Sequence, residues 1–324
     1  MKHKIILSAI SIFAFTNISE VNAGAWLNSK GKWEADEGAY YSFPSTSYDR
    51  GILEGTPDVA YTAKSETRRL AQTSEVTYGL TNYGTLVGLL DIGYVRDKIT
   101  TTLGNGEQFV ISTDYFSIDP AFGYRHKLYE DSKQVLSAEG KLHAGEYIFG
   151  DDDSIYNRDM QAYSLALQYG RNFQSNLGFP NFFNSKRYHY FETIAGAKHY
   201  PHLGQTQWEA EFHFGLAVAQ KVMIVAGMYN TWNGGQFDRS PLNATEVASK
   251  VNATTLDAGQ KTELIDILND KARSRSTYHD HQLDLKVQYE VAKDRVLFVE
   301  GISSIISEKP FTNNALLVGL ESKF

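Results

Sequence analysis

The sequence contains no cysteine and only 7 prolines in its 324 residues. Small exported domains without a large core usually depend on disulfides, and this chain can form none. Beyond its first residues it also lacks the run of about 20 apolar residues that a transmembrane helix needs. The longest later candidate, 216–228, is interrupted by Gln220 and Lys221. The mature chain is therefore expected to leave the membrane altogether or to cross it as strands.

An excess of basic residues is also lacking, because the formal net charge is −7. A nucleic-acid partner would need clustered lysine and arginine to neutralise its phosphates, so we expect no such partner. Tyrosine (20), phenylalanine (18) and glycine (26), by contrast, are abundant. This composition fits a β-barrel whose aromatic residues form girdles at both membrane interfaces.

The first 23 residues have the layout of a cleaved secretory signal. Lys2 and Lys4 form a basic start, an apolar run follows over 5–15, and a small-residue site ends at Ala23. The apolar run is too short to span a bilayer. We therefore predict cleavage near Ala23, which gives a signal peptide at 1–23 and a mature domain at 24–324.

Alternation of apolar and polar residues is the main sign of strands. In the segment 278–291, Leu283, Leu285 and Val287 share one face. Asp284 and Lys286 share the other, whereas a helix would scatter these charges around its axis. A soluble β-sandwich alternates in the same way, so the period alone does not distinguish it from a barrel whose apolar face meets lipid.

The connections between the strands favour the barrel. Several connections, including 82–84 and 292–294, are predicted to be tight turns, whereas 44–65 and 232–276 are long loops. Short periplasmic turns, long outer loops and an even number of strands are typical of outer-membrane barrels. The pattern predicts twelve strands, at Gly31–Phe43, Glu66–Thr81, Thr85–Lys98, Thr113–Lys127, Gln134–Phe149, Met160–Arg171, Arg187–Tyr200, Thr206–Ala217, Val222–Thr231, Thr277–Val291, Arg295–Ile306 and Asn314–Phe324.

The chain ends on one of these strands, and its last residue is Phe324. Bacterial outer-membrane barrels resemble this ending, which their assembly machinery reads. We therefore expect two partners, the outer-membrane lipid around the barrel and the barrel-assembly machinery at the C-terminal strand. The predicted location is the bacterial outer membrane. The predicted fold class is all-β, an antiparallel transmembrane β-barrel of about 12 strands with a helical segment in a long outer loop.

A family resemblance rests on short motifs near the start of the mature chain. Residues 24–26 (GAW) are followed by an aromatic strand at 40–42, and 75–81 (EVTYGLT) leads into an apolar strand at Leu86. Over about its first hundred residues the chain resembles the XagA-like outer-membrane proteins and, more distantly, the barrels linked to phenol-degradation pathways. The resemblance implies a barrel in the outer membrane. These families share no agreed activity, so it implies no functional residues.

No enzymatic activity is predicted, and no cofactor. Lipid-hydrolysing barrels carry a His-x-Ser-Asn-Gly signature around their nucleophile, which this sequence lacks. Barrel proteases use acidic pairs and an Asp–His pair at the outer rim, and 151–153 and 279–281 contain such residue types. Acidic loop runs, however, are usually solvated turns. On a strand, Asp280 would also point away from both neighbouring histidines.

A metal site is not predicted either. His279 and His281 would share a strand face, and His199 and His202 would share a loop. Each pair supplies two ligands, whereas zinc needs three or four. Histidine at a membrane rim is more often an interface residue with a wet polar edge.

The polar faces of the predicted strands would line a lumen with charges of both signs. Because a barrel of this size is narrow, opposite charges on neighbouring strands are expected to pair and to fill part of the interior. A ring of one sign, which would indicate ion selectivity, is not predicted. A side-chain plug and a selective pore both remain open. The predicted lining is Arg69, Glu75, Asp119, Arg125, Glu139, Lys141, Glu192, Lys198, Glu209, Glu211, Asp284, Lys286, Glu290 and Glu300.

The long loop 232–276 carries the one helical signal. Leu264, Ile265 and Leu268 fall on one helical face, with charges opposite. We predict a surface lid over the mouth, with an inward plug or a partner-binding helix as alternatives. The predicted function is passive passage of small solutes, apolar ones among the candidates, through the outer membrane. The alternatives are a surface protein whose loops bind a polysaccharide or a partner and, third, a lipid-active enzyme.

Overall fold

A computed structural model describes residues 26–150, 155–158, 161–173, 189–201, 204–219, 221–233, 244–272, 278–307 and 314–324. The predicted signal peptide, 1–23, and the acidic run 151–153 lie outside the described residues. The strands are β1 (Trp33–Leu53), β2 (Val59–Thr81), β3 (Gly84–Leu103), β4 (Gln108–Glu130), β5 (Gln134–His143), β6 (Glu146–Gly150), β7 (Ile155–Arg158), β8 (Ala162–Phe173), β9 (His189–Tyr200), β10 (Gln205–Ala219), β11 (Val222–Asn233), β12 (Tyr278–Ala292), β13 (Arg295–Ser307) and β14 (Asn314–Lys323). The helices are α1 (Ala244–Asn252) and α2 (Ala258–Ala272).

Twelve of the strands close into an antiparallel barrel. Neighbours in sequence pair with one another, β5 pairs with β8, and the first and last strands meet where Tyr40 lies opposite Leu317. Closure removes the unpaired backbone N–H and C=O groups that an open sheet edge would present to lipid. No helix among the described residues is long and apolar enough to cross a membrane. The predicted all-β barrel of about 12 strands is confirmed.

The two faces of the barrel wall differ as the alternation predicts. Large apolar side chains point outward, and among them Leu165 is 65% exposed and Leu285 is 56% exposed. Outward-facing aromatic residues lie near both ends of the wall, for example Trp33 and Tyr289 at one end and Trp208 at the other. A closed barrel with an apolar outer band between aromatic ends has the surface of a transmembrane barrel.

The two ends of the barrel are built differently. The turn end carries the tight connections β2–β3, β4–β5, β10–β11 and β12–β13, and the helix end carries α1 and α2. At the helix end, β1 to β4 continue well beyond the rest of the wall. Strand β2 has 23 residues, whereas about 9–11 suffice to cross a membrane. We call the part of β1–β4 beyond this length, about 45–67 and 97–114, the outer extension.

Both helices pack on the inward face of the outer extension. This packing forms the largest apolar cluster among the described residues, and it joins segments about 200 positions apart in the chain. Its fully buried members include Leu53 and Ile111 from the extension and Leu264 and Leu268 from α2. The whole buried cluster is Leu53, Tyr61, Ala63, Ile99, Leu103, Ile111, Val247, Val251, Leu256, Leu264 and Leu268.

The outer extension corrects the predicted loop at 44–65. Most of this range is strand, in β1 up to Leu53 and in β2 from Val59. Serine, threonine and charged residues are frequent in it. In these strands only every second residue faces the helices, and the residues between them face water. That composition is typical of a loop when the sequence is read without the packing partner.

The predicted strand Gln134–Phe149 is also corrected. It breaks at Gly145, which has φ of 101°, a left-handed conformation that glycine adopts without strain. Up to His143 the chain forms β5 in the wall. From Glu146 it forms β6, which pairs with β7 and with residues 115–118 of β4, nearer the helix end than the part of β4 that pairs with β5. A further correction concerns the long loop, because it contains two helices where one was predicted.

Candidate functional site

The interior of the barrel is the candidate site, because the charged side chains of the wall collect there. All fourteen predicted lining residues lie on wall strands, at positions whose register alternates with the outward apolar residues. The predicted list omits several inward residues, among them Glu34, Asp36, Asp91 and Glu321. Alternation could have found Glu321, which follows the outward-facing Leu320. It could not have found Asp36, because its neighbour Glu37, on the opposite face, is also acidic and blurs the period.

Two adjoining cavities lie within the lumen. The first has a volume of about 230 Å³ and the second about 380 Å³. They share Asp36, Glu75, Tyr229, Lys286 and Glu300 as lining residues. Each could hold several water molecules, since one water occupies about 30 Å³ in the liquid. Side chains therefore fill part of the interior and leave hydratable space between them.

One ion-pair network crosses the wall from β2 to β5. An Arg125 guanidinium nitrogen lies 2.6 Å from Glu139 Oε2, and Lys141 Nζ lies 2.6 Å from Glu139 Oε1. Arg125 also lies 3.7 Å from Glu75. The Glu139 side chain is only 1% exposed, so both of its oxygens are neutralised inside the protein. This network agrees with the expected pairing of opposite charges on neighbouring strands.

A second network joins β12 to β14. Lys286 Nζ donates to Glu321 Oε1 at 2.6 Å and lies 3.9 Å from the centre of the Phe298 ring. The Gln288 amide donates to the same Glu321 oxygen at 2.7 Å. Nearby, Lys323 pairs with Glu34 at 3.2 Å. These contacts hold the inward cations of this wall segment against carboxylates.

The inward carboxylates outnumber their basic partners. Arg69 pairs with Asp91, and the two networks engage Arg125, Lys141, Lys286 and Lys323. Within the described part of the chain, five inward carboxylates have no ion pair with lysine or arginine. They are Asp36, Glu209, Glu211, Asp284 and Glu300.

The start of the described chain also enters the lumen. Trp26 and Asn28 line the first cavity. The Asn28 backbone N–H donates to Thr85 Oγ1 at 3.1 Å, and its side-chain amide donates to Thr77 Oγ1 at 2.6 Å. The Gly31 N–H donates to the Gly79 carbonyl at 2.7 Å. This segment narrows the turn end of the barrel, which no sequence pattern indicated.

The residues predicted to form a lid lie in α2, on the cluster with the outer extension. Leu264 and Leu268 are fully buried there, and Ile265 packs against the same cluster. The linker between the helices is tied to the β3–β4 turn, since the Thr255 N–H donates to the Glu107 carboxylate at 3.1 Å. Hydrogen bonds from the hydroxyl and the backbone of Thr255 lower the pKa of Glu107. The helices are therefore fixed beside the mouth, and their action as a lid stays a prediction.

The histidines considered as metal ligands are not brought together. His281 faces outward, and its Nδ1 lies 2.6 Å from Asn230 Oδ1. His199 Nδ1 lies 3.0 Å from Thr206 Oγ1, and His202 is outside the described residues. Across the described ranges, no three histidine, aspartate or glutamate side chains are placed to hold a metal ion.

No family model and no curated protein matches the chain. Among solved structures it is similar to the COG4313 outer membrane channel from Pseudomonas putida F1, with 14% identity and a TM-score of 0.46 over 94% of this chain and 100% of that one. A Pseudomonas aeruginosa FadL homologue gives 6% identity and a TM-score of 0.41, over 90% of both chains. The outer membrane protease OmpT from Escherichia coli gives 9% identity and a TM-score of 0.33, over 90% of this chain and 97% of that one. At these values the fold of the chain rests on its own strand pairing.

Proposed function

We propose that the chain is an outer-membrane channel through which small solutes pass passively. The observation that supports this most directly is the pair of adjoining hydratable cavities inside a closed wall. A barrel that served only as an anchor would gain most from an interior packed without voids. Here the inward charged residues instead border space that water can occupy.

The outer-membrane location is part of the same proposal. The outward apolar band would be costly in water, whereas in lipid it is the face that a barrel needs. The turn end then faces the periplasm, and the outer extension with its two helices faces the outside of the cell. Membership of the XagA-like proteins stays a prediction. The lining favours polar solutes over the apolar ones that the sequence also allowed.

A surface role is the second candidate, and the outer extension favours it. Four strands that continue beyond the membrane and carry packed helices could present a binding surface to a polysaccharide or a partner. A channel and an anchor differ in one measurable respect, because only the channel conducts ions after reconstitution. The two proposals are therefore separated by electrical recording.

The experiment is single-channel recording of the refolded mature chain in a planar bilayer. We expect discrete conductance steps. Thr73→Trp puts a bulky side chain beside the second cavity and should reduce the step size, because Thr73 lines that cavity. Gln72→Trp, on the outward face of the same strand, is the matched control and should leave the steps unchanged. A correctly refolded wild-type barrel that never conducts would overturn the channel proposal.

A further inference from the structure

The two cavities are lined by a strong excess of negative charge. Among the described residues that line them, nine are aspartate or glutamate, and two, Arg125 and Lys286, are arginine or lysine. The sequence prediction was of mixed signs, because it counted inward residues along the whole wall. The structure shows that lysines such as Lys141 and Lys198 do not line the cavities, so the hydratable space is surrounded mainly by carboxylates.

The two cavity-lining cations are already engaged. Arg125 lies 2.6 Å from Glu139, and Lys286 lies 2.6 Å from Glu321. In contrast, Asp36 and Glu300, which line both cavities, form no ion pair with lysine or arginine among the described residues. Ion pairing within the wall thus leaves net negative charge directed at the cavities.

Asp284 supplies an independent sign that the lumen accepts positive groups. It lines the first cavity and is only 6% exposed, yet its Oδ1 receives no hydrogen bond from another protein group. This oxygen lies over Gly227, where any Cβ atom would overlap it. The Oε1 of Gln288, which is 4% exposed in the same wall, also lacks a donor. A buried acceptor without a donor is costly unless a cation or a donor-bearing solute approaches it.

From these observations we infer that the lumen selects small cations over anions of similar size. The inference rests on the proposed channel function and names the charge class of its solute. Carboxylates around a narrow, water-filled path with low-dielectric walls raise the local concentration of cations and exclude anions. One unpaired carboxylate about 10 Å from the path, in a water-like dielectric, changes the occupancy of each monovalent ion by about twofold, in opposite directions. The permeability ratio of cation to anion then changes by about fourfold for each carboxylate.

The test is the reversal potential of the reconstituted mature chain under a potassium chloride gradient. We expect the reversal potential to have the same sign as the equilibrium potential of potassium. The variant Asp284→Asn/Glu300→Gln keeps side-chain size and should move the reversal potential clearly towards zero. Glu54→Gln, which neutralises an exposed carboxylate in the β1–β2 turn, is the control and should leave it near the wild-type value.

The outcomes separate this inference from the proposal beneath it. If the refolded wild type does not conduct, the channel function fails. If it conducts with a reversal potential near zero or of the chloride sign, the channel stands and cation selectivity is overturned. The wild-type measurement decides selectivity without any variant. A double variant that fails to refold therefore neither supports nor overturns the inference.

Discussion

Leu285 and Lys286 are neighbours in β12 that face opposite environments. The Leu285 side chain is on the outward apolar band, whereas Lys286 turns inward to Glu321. The same backbone therefore places an apolar residue against lipid and a charge against a carboxylate. Since a shift of register by one residue would exchange the two environments, such pairs of neighbouring residues determine the register of the strand.

Leu285→Arg should destabilise the barrel by about 2–4 kcal/mol, because it places a charge near the middle of the apolar band. Val291→Arg, on the same outward face but beside the turn end, should cost no more than about 1 kcal/mol. Equilibrium refolding titrations in lipid vesicles measure both. Equal costs at the two positions would contradict the assigned depth of β12.

Glu139 should be among the residues least tolerant of neutralisation. Glu139→Gln leaves Arg125 and Lys141 without their shared carboxylate in a buried setting, and we expect a loss of about 3–5 kcal/mol. Adding Arg125→Met should recover part of this loss, because the uncompensated charge is then removed. Glu66→Gln, which breaks the more exposed pair with Lys64, serves as control and should cost no more than about 1 kcal/mol. Strictly additive single and double variants in a refolding titration would show that the network is not coupled.

At the scale of elements, helices α1 and α2 depend on the outer extension for their burial. Their own polar sequence would give little helix in isolation, since most helical stability in proteins comes from packing of an apolar face. Leu264 and Leu268 supply that face against Leu53 and Ile111. The helices and the extension are therefore expected to loosen together.

Replacing Leu264 and Leu268 with serine should release this packing. We expect protease cleavage within α1–α2 and, if the helices act as a lid, a higher mean conductance, because a released lid spends more time open. Limited proteolysis and single-channel recording measure the two effects. Lys261→Ser and Asp266→Ser, at positions of α2 outside the buried cluster, form the control. Cleavage without a change in conductance would mean that the helices do not gate the mouth.

The contact between Glu107 and Thr255 predicts a pH dependence. The pKa of Glu107 is lowered in the folded protein, so its contribution to the docking of the linker is present at neutral pH. That contribution is lost as the pH falls from the ordinary glutamate value of about 4.3 through the lower folded value. The protection of the 253–257 amides, measured relative to their intrinsic exchange rate at each pH, should therefore fall over this range. In Glu107→Gln this protection should already be reduced at neutral pH, and a wild type whose protection is flat over this range would contradict the contact.

At the scale of the whole molecule, orientation follows from the asymmetry of the two ends. Four tight connections lie at the turn end, and the helices and the outer extension lie at the other end, where β1–β2, β3–β4 and β9–β10 are also joined by short connections. Outer-membrane barrels place their short turns in the periplasm. The natural absence of cysteine makes this orientation directly testable.

A single cysteine at Ala253, in the exposed linker after α1, should react with an impermeant maleimide on intact cells. A cysteine at Lys293, in the β12–β13 turn, should react only after the outer membrane is opened. Both chains must first be shown by heat-modifiable gel mobility to be folded. Labelling of intact cells at 293 without labelling at 253 would reverse the orientation.

The sequence by itself determined the wall. Each wall strand has one face towards lipid and one towards the lumen, so apolar and polar residues alternate along its own sequence. All twelve wall strands could be predicted from this alternation. The same period placed the charges of Asp284 and Lys286 on the inward face. Such predictions need only neighbouring residues, because the environment alternates along a single strand.

Only the tertiary structure decided how the interior is used. Lys286 and Glu321 lie 35 positions apart, and their contact depends on which strands become neighbours. The entry of Trp26 into the lumen and the docking of α2 on the outer extension involve still longer separations. The local pattern states that a charge faces inward, but its partner comes from another strand. The residual negative charge of the cavities therefore emerged only when the barrel was closed.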